Sequence, residues 1–473
     1  MFDHFDYLYI DGRWVKSHGT SDISIENPAT LETFARVPAG DTTDVDLAVR
    51  AARNAQQTWS ETPLARRIEL MQRMLELFKE RRETIIEWEA KELGAPVSFG
   101  KQAHCDYQFD RIASYIELAS RVELESAFAA STVYREPIGV VACLTPWTYP
   151  LGQIVQKMIP AVLMGNTVVV KPSQLTPLTA YLLFDAFDRA GFPAGVVNLV
   201  TGKGADLGRY ISTHPDVDMV SFTGSTRVGI ELSQLALGSV KRISLELGGK
   251  SPYIWLPSES YEAALPKLLG SIFLNSGQTC TSLSRLLVPR KDLERIERSL
   301  VEAVSRLRVG DPLDPATDIG PVASRAQYDK ISDYIRLGLA EGARLIVGGL
   351  PDNPDNGYWI VPTIFSDVSN KMRIAQEEIF GPVLCVIPYD TIDEAIAMAN
   401  DTIYGLNAAV YGPKDMALGV AKRIKSGNVY INDGPRDLTA PFGGYKQSGL
   451  GREGGLYGLL EFTDLKAVYD HGN

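Results

Sequence analysis

Gly139-Val140-Val141-Ala142, Thr167-Val168-Val169-Val170, Val196-Val197-Asn198-Leu199-Val200 and Met219-Val220-Ser221-Phe222 are continuous apolar runs, rich in β-branched residues and separated by segments of helical character. A strand with one wet face alternates polar and apolar residues, whereas a continuous run is dry on both faces. Runs of this kind alternating with helices imply a parallel sheet covered on each side, an α/β fold. Between the second and third runs, Thr176-Pro177 is placed to open a helix and Gly191 to close it. Upstream, Leu8 to Val15 reads as a short hairpin turning at Asp11-Gly12, and residues 44 to 94 read as helices. There Leu64, Ile68, Met71, Leu75 and Phe78 form one apolar stripe, with Thr62 as candidate N-cap, Pro63 at the first helical position and Gly94 as the stop for the segment after it. A second α/β pattern runs from about Gly249 to Gly449, with helices over Leu293 to Leu307 and Ala323 to Glu341 and strands over Arg344 to Val347 and Val383 to Pro388. Ser120 to Glu136 and Phe462 to Val468 are strand-capable segments expected to pair outside the two main sheets.

Length and composition agree with this outline. The 473 residues suit two or three domains at roughly 100 to 200 residues each. With 45% hydrophobic and 22% charged residues the chain matches ordinary globular usage, which excludes wholesale disorder, collagen and coiled coil. A net charge of −11, with no basic run, argues against nucleic acid and anionic membrane as partners. Met158 to Val170, the longest apolar stretch, is interrupted by Pro160, Gly165 and Asn166 and falls short of the ~20 residues of a membrane span. Cys105, Cys143, Cys280 and Cys385 lie far apart without a CxxC, so neither a disulfide framework nor a zinc cluster is expected, and a reducing cytoplasm fits best. The acidic N-terminus lacks the pattern of a secretory signal. No two of the five histidines sit at metal-ligand spacing, so no metal site is expected.

Four features carry chemistry on their own residues. Phe222-Thr223-Gly224-Ser225-Thr226-Arg227-Val228-Gly229 is a strand end passing through a glycine turn into a helix, an arrangement suited to a pyrophosphate but also common as a plain turn. Lys171 ends a strand, on the side where open α/β sheets bind ligands, although many such lysines are simply solvated. Cys280, in Gly277-Gln278-Thr279-Cys280-Thr281, is a candidate nucleophile or a buried inert thiol. Glu246, in an apolar stretch, is either a buried general base or a helix-capping carboxylate.

These motifs stand in one order with Thr145-Pro146-Trp147, Val170-Lys171-Pro172-Ser173, Glu246-Leu247-Gly248-Gly249-Lys250, Glu378-Ile379-Phe380-Gly381-Pro382 and Pro441-Phe442-Gly443-Gly444-Tyr445-Lys446. From end to end the chain resembles the aldehyde dehydrogenase superfamily, and the 34 positions between Glu246 and Cys280 match that family's separation of base and nucleophile. The resemblance implies a Rossmann-like cofactor domain (1–118 and 137–248), a catalytic domain (249–448) and a small β oligomerisation element (119–136 and 449–473) in a homodimer or homotetramer. It implies that Cys280 adds to an aldehyde to give a thiohemiacetal, that hydride passes to NAD or NADP, and that Glu246 activates water to hydrolyse the thioester. The cofactor would be held by Trp147, Lys171, Ser173, Gln174, Gly204, Gly224, Ser225, Gly229, Leu247, Glu378 and Phe380. The substrate tunnel would be lined by Tyr149, Gln153, Thr279, Thr281, Arg436 and Phe442.

Two residues depart from the family pattern. Thr148 stands where the family usually carries an asparagine whose amide completes the oxyanion hole, a loss worth on the order of a hundredfold in turnover. Gln174 stands where strict NAD users carry a glutamate, so discrimination against a 2′-phosphate should weaken. The leading function is therefore NAD(P)-dependent oxidation of an aldehyde to its carboxylate. The alternatives are a CoA-acylating enzyme, disfavoured by Glu246, and a catalytically weak cofactor-binding or structural protein, suggested by Thr148. Arg436 has two readings. Facing the tunnel it would offer a bidentate site for a carboxylate, and at the surface, the favoured reading, it would pair with Asp433 or Asp437.

Overall fold

The computed structural model describes residues 4–351, 355–432 and 434–470. The four apolar runs form strands Val140–Leu144, Thr167–Lys171, Val197–Leu199 and Met219–Thr223, all in one eight-stranded sheet. Its order is Gly449–Leu450, Arg242–Glu246, Met219–Thr223, Val140–Leu144, Thr167–Lys171, Val197–Leu199, Leu8–Ile10, Arg13–Val15. The five central strands are parallel, and every residue of Val140–Leu144, Thr167–Lys171 and Met219–Thr223 is buried, as helices on both faces require. From Val140–Leu144 the chain winds outward through Thr167–Lys171 to one side and returns to build Met219–Thr223 and Arg242–Glu246 on the other. That reversal is a topological switch point, and the crevice beyond the carboxyl ends of these strands is where such sheets bind ligands.

Helices Thr42–Glu61, Leu64–Lys79 and Arg82–Leu93 occupy the predicted helical region, and Gly94 closes the third with a left-handed φ of 82°. Thr62 is not the N-cap of the second helix, which no side chain caps; its hydroxyl donates back to the Thr58 carbonyl. Nor does Thr176 cap helix Leu178–Ala190. Two buried carboxylates on Arg82–Leu93 serve the crossover helices instead. Glu92 accepts from the Leu178 N–H at 3.0 Å, and Glu89 accepts from Leu151 N–H at 3.4 Å in the first turn of Pro150–Leu163. A carboxylate at a helix N-terminus satisfies orphan donors and complements the dipole, which offsets part of the cost of burial, although burial and the nearby Glu89 still raise the Glu92 pKa well above the usual carboxylate range.

The chain passes to a second sheet between Glu246 and Pro252. That sheet has seven strands in the order Arg344–Val347, Thr363–Ser366, Val383–Tyr389, Arg285–Pro289, Pro252–Trp255, Asn407–Tyr411, Asn428–Ile431, mostly parallel, with helices Leu293–Val304 and Arg325–Ala340 among those packed around it. Thr463–Tyr469 pairs antiparallel with Ser131–Pro137, which pairs with Glu125–Phe128, so the two strand-capable segments do pair outside the main sheets, in a three-stranded sheet. Gly449–Leu450, expected in that small element, hydrogen-bonds instead along Arg242–Glu246 at the edge of the first sheet. A hairpin of Ser21–Glu26 and Thr33–Ala39 was not anticipated.

Between these units lies a buried ion pair: Lys157, fully buried on helix Pro150–Leu163, donates to Glu453 at 2.6 Å, and Gln156 donates to its other oxygen at 2.6 Å. Removing one partner of such a pair leaves an uncompensated buried charge. Lys157→Met is expected to lower the free energy of unfolding by about 3–5 kcal/mol, and Lys157→Met with Glu453→Leu to restore much of the loss. Chemical denaturation of the two variants measures both, and a single substitution costing under about 1 kcal/mol would contradict the assignment.

Candidate functional site

Cys280 sits in a loop held in an unusual conformation. Asn275, Ser276 and Gly277 take left-handed φ values of 54°, 53° and 71° in succession. The Asn275 amide donates to the carbonyls of Thr148 (3.0 Å) and Gln278 (3.1 Å), and the Ser276 hydroxyl to that of Gly320 (2.8 Å). Gln278 accepts from the Ala323 N–H at 2.8 Å. A Cβ at Gly277 would stand 2.2 Å from the Gly381 backbone, so only glycine fits. This clamp presents Cys280 to two cavities at once.

One cavity, of about 620 Å³, is lined by Cys280 with all six expected tunnel residues: Tyr149, Gln153, Thr279, Thr281, Arg436 and Phe442. Tyr149 and Thr279 share a hydrogen bond of 3.0 Å. The other, of about 180 Å³, is lined by Cys280 with Thr148, Trp147, Leu247, Glu378 and Phe380. Here the Trp147 and Phe380 rings meet edge to face at 5.5 Å, and Glu378 accepts from the Gly249 N–H at 2.9 Å. This second cavity shares Trp147, Gly224 and Ser225 with a groove of about 620 Å³ that also takes in Lys171, Ser173, Gln174 and Gly204. The groove follows the carboxyl ends of Val140–Leu144, Thr167–Lys171 and Met219–Thr223 and meets the N-terminus of helix Thr226–Leu237, capped by Ser225. Gln174 accepts from the Gly204 N–H at 3.1 Å, an arrangement that leaves its NH₂ group free to donate.

Glu246 ends a strand and caps no helix. It is 3% exposed, neither carboxylate oxygen has a hydrogen-bond partner, and it packs against bare backbone, since a Cβ at Gly443 would lie 2.8 Å from its Oε1. It does not line the cavities around Cys280. Burial drives its pKa well above the usual carboxylate range, and the neighbouring Glu453 charge adds to this against the opposing effects of Lys157, Arg452 and Arg436. Burial likewise pushes the Cys280 thiol up to about 12, helped by Glu378 and Glu246, while Arg436 and the cysteine's own backbone N–H oppose the rise. Lys171 falls to about 8 through burial, and Glu378 rises for the same reason.

Two expectations need correction. Gly229 does not line the groove: a Cβ there would stand 2.5 Å from Leu247 Cδ2, so it lets helix Thr226–Leu237 pack onto the strand exit. Arg436 does not pair with Asp437, whose carboxylate accepts from the Thr439 N–H and hydroxyl, while the Arg436 guanidinium lies 4.4 Å from the Phe442 ring centre. Asp433 lies outside the described residues. Sequence reasoning missed Tyr107, Gln108 and Arg111, which enter the tunnel from helix Tyr107–Ala119, a stretch it left without a reading, and His104, stacked on Tyr149 at 4.6 Å within a π-helical turn at Lys101–Asp106. A single irregular turn leaves no periodic signal.

Comparison with known proteins agrees with this geometry. Residues 14–468 match the model of the aldehyde dehydrogenase family. A 3-succinoylsemialdehyde-pyridine dehydrogenase of Pseudomonas sp is 45% identical over 472 residues, 99% of each chain. Among solved structures, a cysteine-to-alanine mutant of aldehyde dehydrogenase C from Pseudomonas syringae, complexed with NAD+ and octanal, is 42% identical, superposes with a TM-score of 0.97 and is matched over 99% of this chain and 97% of that one. An aldehyde dehydrogenase of Mycobacterium tuberculosis complexed with NAD+ is 40% identical, with a TM-score of 0.96 and 98% of both chains covered. With its fold and nearly its whole length matched, the chain belongs to the aldehyde dehydrogenase family.

Proposed function

We propose that the protein oxidises an aldehyde to the carboxylic acid with NAD or NADP through a covalent adduct on Cys280. The observation that carries this reading is that Cys280 alone of the four cysteines lines both the tunnel and the cavity beside Trp147 and Phe380. A nucleophile at that junction can hold a carbonyl carbon between the two sites.

The groove fits a dinucleotide. The buried hydroxyls of Thr145 and Thr223 line it without a protein partner, and the buried Lys171 ammonium bonds only the Pro172 carbonyl, at 2.7 Å. The Ser225 helix start suits the pyrophosphate, Lys171, Ser173 and Gln174 a ribose, and Glu378 with Phe380 the nicotinamide end. When bound, the nicotinamide supplies the hydride acceptor.

The chain's own groups do the rest. The Cys280 thiol gives its proton to solvent water and its sulfur bonds to the aldehyde carbon as the C=O π bond opens, placing negative charge on the former carbonyl oxygen. The Cys280 N–H and the Thr148 hydroxyl are the donors we assign to that oxygen, Thr148 replacing the missing amide. Oxidation leaves a thioester on Cys280. Glu246, whose burial raises its affinity for a proton, deprotonates the water that attacks this thioester and passes the proton to the departing sulfur, releasing the acid and the thiol. Water rather than CoA is thus the acyl acceptor. The exposed Phe128, Leu465 and Tyr469 of the three-stranded sheet support homo-oligomerisation through that element.

Cys280→Ala is expected to lower turnover at least about a thousandfold while cofactor binding, followed by fluorescence, survives. Comparable rates in variant and parent would end the assignment. Glu246→Gln should leave a single burst of reduced cofactor, near one equivalent, ahead of a steady state slowed about a hundredfold, and stopped-flow absorbance separates the two phases. Gln174→Glu should weaken NADP binding about tenfold and NAD binding far less, because its carboxylate would face a 2′-phosphate. Equal losses for both cofactors would take Gln174 away from the ribose.

A further inference from the structure

Arg111 and Arg436 both line the tunnel that Cys280 lines. Arg111 is 6% exposed, yet neither arginine has a carboxylate within ion-pairing distance among the described residues. Arg111 donates only to neutral oxygens, Gln108 Oε1 at 2.8 Å and the Gly152 carbonyl at 3.3 Å. Both guanidinium groups contact one ring: that of Arg111 lies 4.9 Å from the Tyr107 centre and that of Arg436 lies 5.9 Å from it, with Arg436 also over Phe442. Their proximity is felt electrostatically, since Arg436 adds to burial in lowering the pKa of Arg111.

Two like charges gathered at one cavity without a counter-ion among the described residues raise the energy of the resting protein, and an anion placed between them would relieve it. Stacking on Tyr107 and Phe442 uses the guanidinium faces and leaves the N–H edges for in-plane hydrogen bonds, the geometry that a carboxylate matches with two oxygens. The remaining wall is polar as well: Gln153 is buried, and its Oε1 has no partner. A tunnel for a purely hydrocarbon aldehyde has no use for these groups, each of which costs desolvation when apolar surface covers it.

We propose that the physiological substrate is an aldehyde that carries a carboxylate at its far end, held by Arg111 and Arg436 while its carbonyl carbon reaches Cys280. This rests on the oxidation proposed above and adds the class of aldehyde. The two arginines act as specificity-determining residues and take no part in bond making.

The test compares short and medium ω-oxo acids with their methyl esters as substrates of the parent, of Arg436→Gln, which alters an exposed position, and of Arg111→Met. The parent is expected to favour acid over ester in kcat/KM by at least about tenfold, and each variant to lose most of that preference, chiefly through a raised KM for the acid. Glutarate binding, measured by calorimetry without turnover, should weaken about tenfold in Arg436→Gln. If both aldehydes are oxidised with equal kcat/KM by the parent, or if the preference survives both substitutions, the carboxylate site is overturned while the oxidation stands. If neither aldehyde is oxidised but glutarate binds through the arginines, the oxidation fails and the anion site stands. Absence of both oxidation and glutarate binding overturns both.

Discussion

Three consecutive residues in left-handed conformation, Asn275, Ser276 and Gly277, are the constraint on which the site depends. Outside glycine such a conformation costs about 1–3 kcal/mol per residue and persists only when its surroundings over-determine it. Here they do. Asn275 ties the loop to the carbonyl of Thr148, on the segment leaving the first sheet, and Ser276 ties it to Gly320 before helix Arg325–Ala340. The same bonds that relieve the strain fix Cys280 against both units, so the position of the sulfur is set by the relation between the two sheets rather than by local chain preference.

Placing the nucleophile this way requires charges in dry surroundings, and the structure handles them in two manners. Where a buried carboxylate has a structural task it is given a partner: Glu92 and Glu89 each meet a backbone N–H at a helix start, and Glu453 meets Lys157 and Gln156. Where chemistry is proposed, partners are withheld. Glu246 has none, and its affinity for a proton rises accordingly. A carboxylate satisfied by hydrogen bonds would be a poor base near neutrality; one left bare is held ready at a cost in stability that the partnered charges around it limit.

The elements legible in the sequence were those with long-range regularity. The apolar runs at Val140, Thr167, Val196 and Met219 announced the parallel sheet because burial on both faces removes every polar position. The motifs around Cys280, Glu246 and Glu378 were legible through a resemblance spanning the chain, which tied together residues that no periodicity connects. Details fixed by tertiary contact escaped. Thr62 and Thr176 have cap chemistry, but helix Leu64–Lys79 has no side-chain cap and Glu92, from another helix, supplies the bond at Leu178. Arg436 is exposed as its acidic neighbours suggested, but it does not pair with Asp437, and only the fold brings Tyr107 and Arg111 to the same tunnel wall.

The late segment from Phe442 to Tyr469 touches every unit: Phe442 bridges to Glu453, Gly449–Leu450 extends the first sheet beside Glu246, Glu453 holds Lys157, and Thr463–Tyr469 completes the small sheet. During synthesis, a ribosome that has already exposed Cys280 and Glu246 still shelters the residues that close the pocket around them. A nascent or prematurely terminated chain therefore holds the reactive groups without the enclosure that governs their protonation. Productive folding must wait for contacts separated by about 300 positions, the kind of delay that makes early release costly and a chaperone useful.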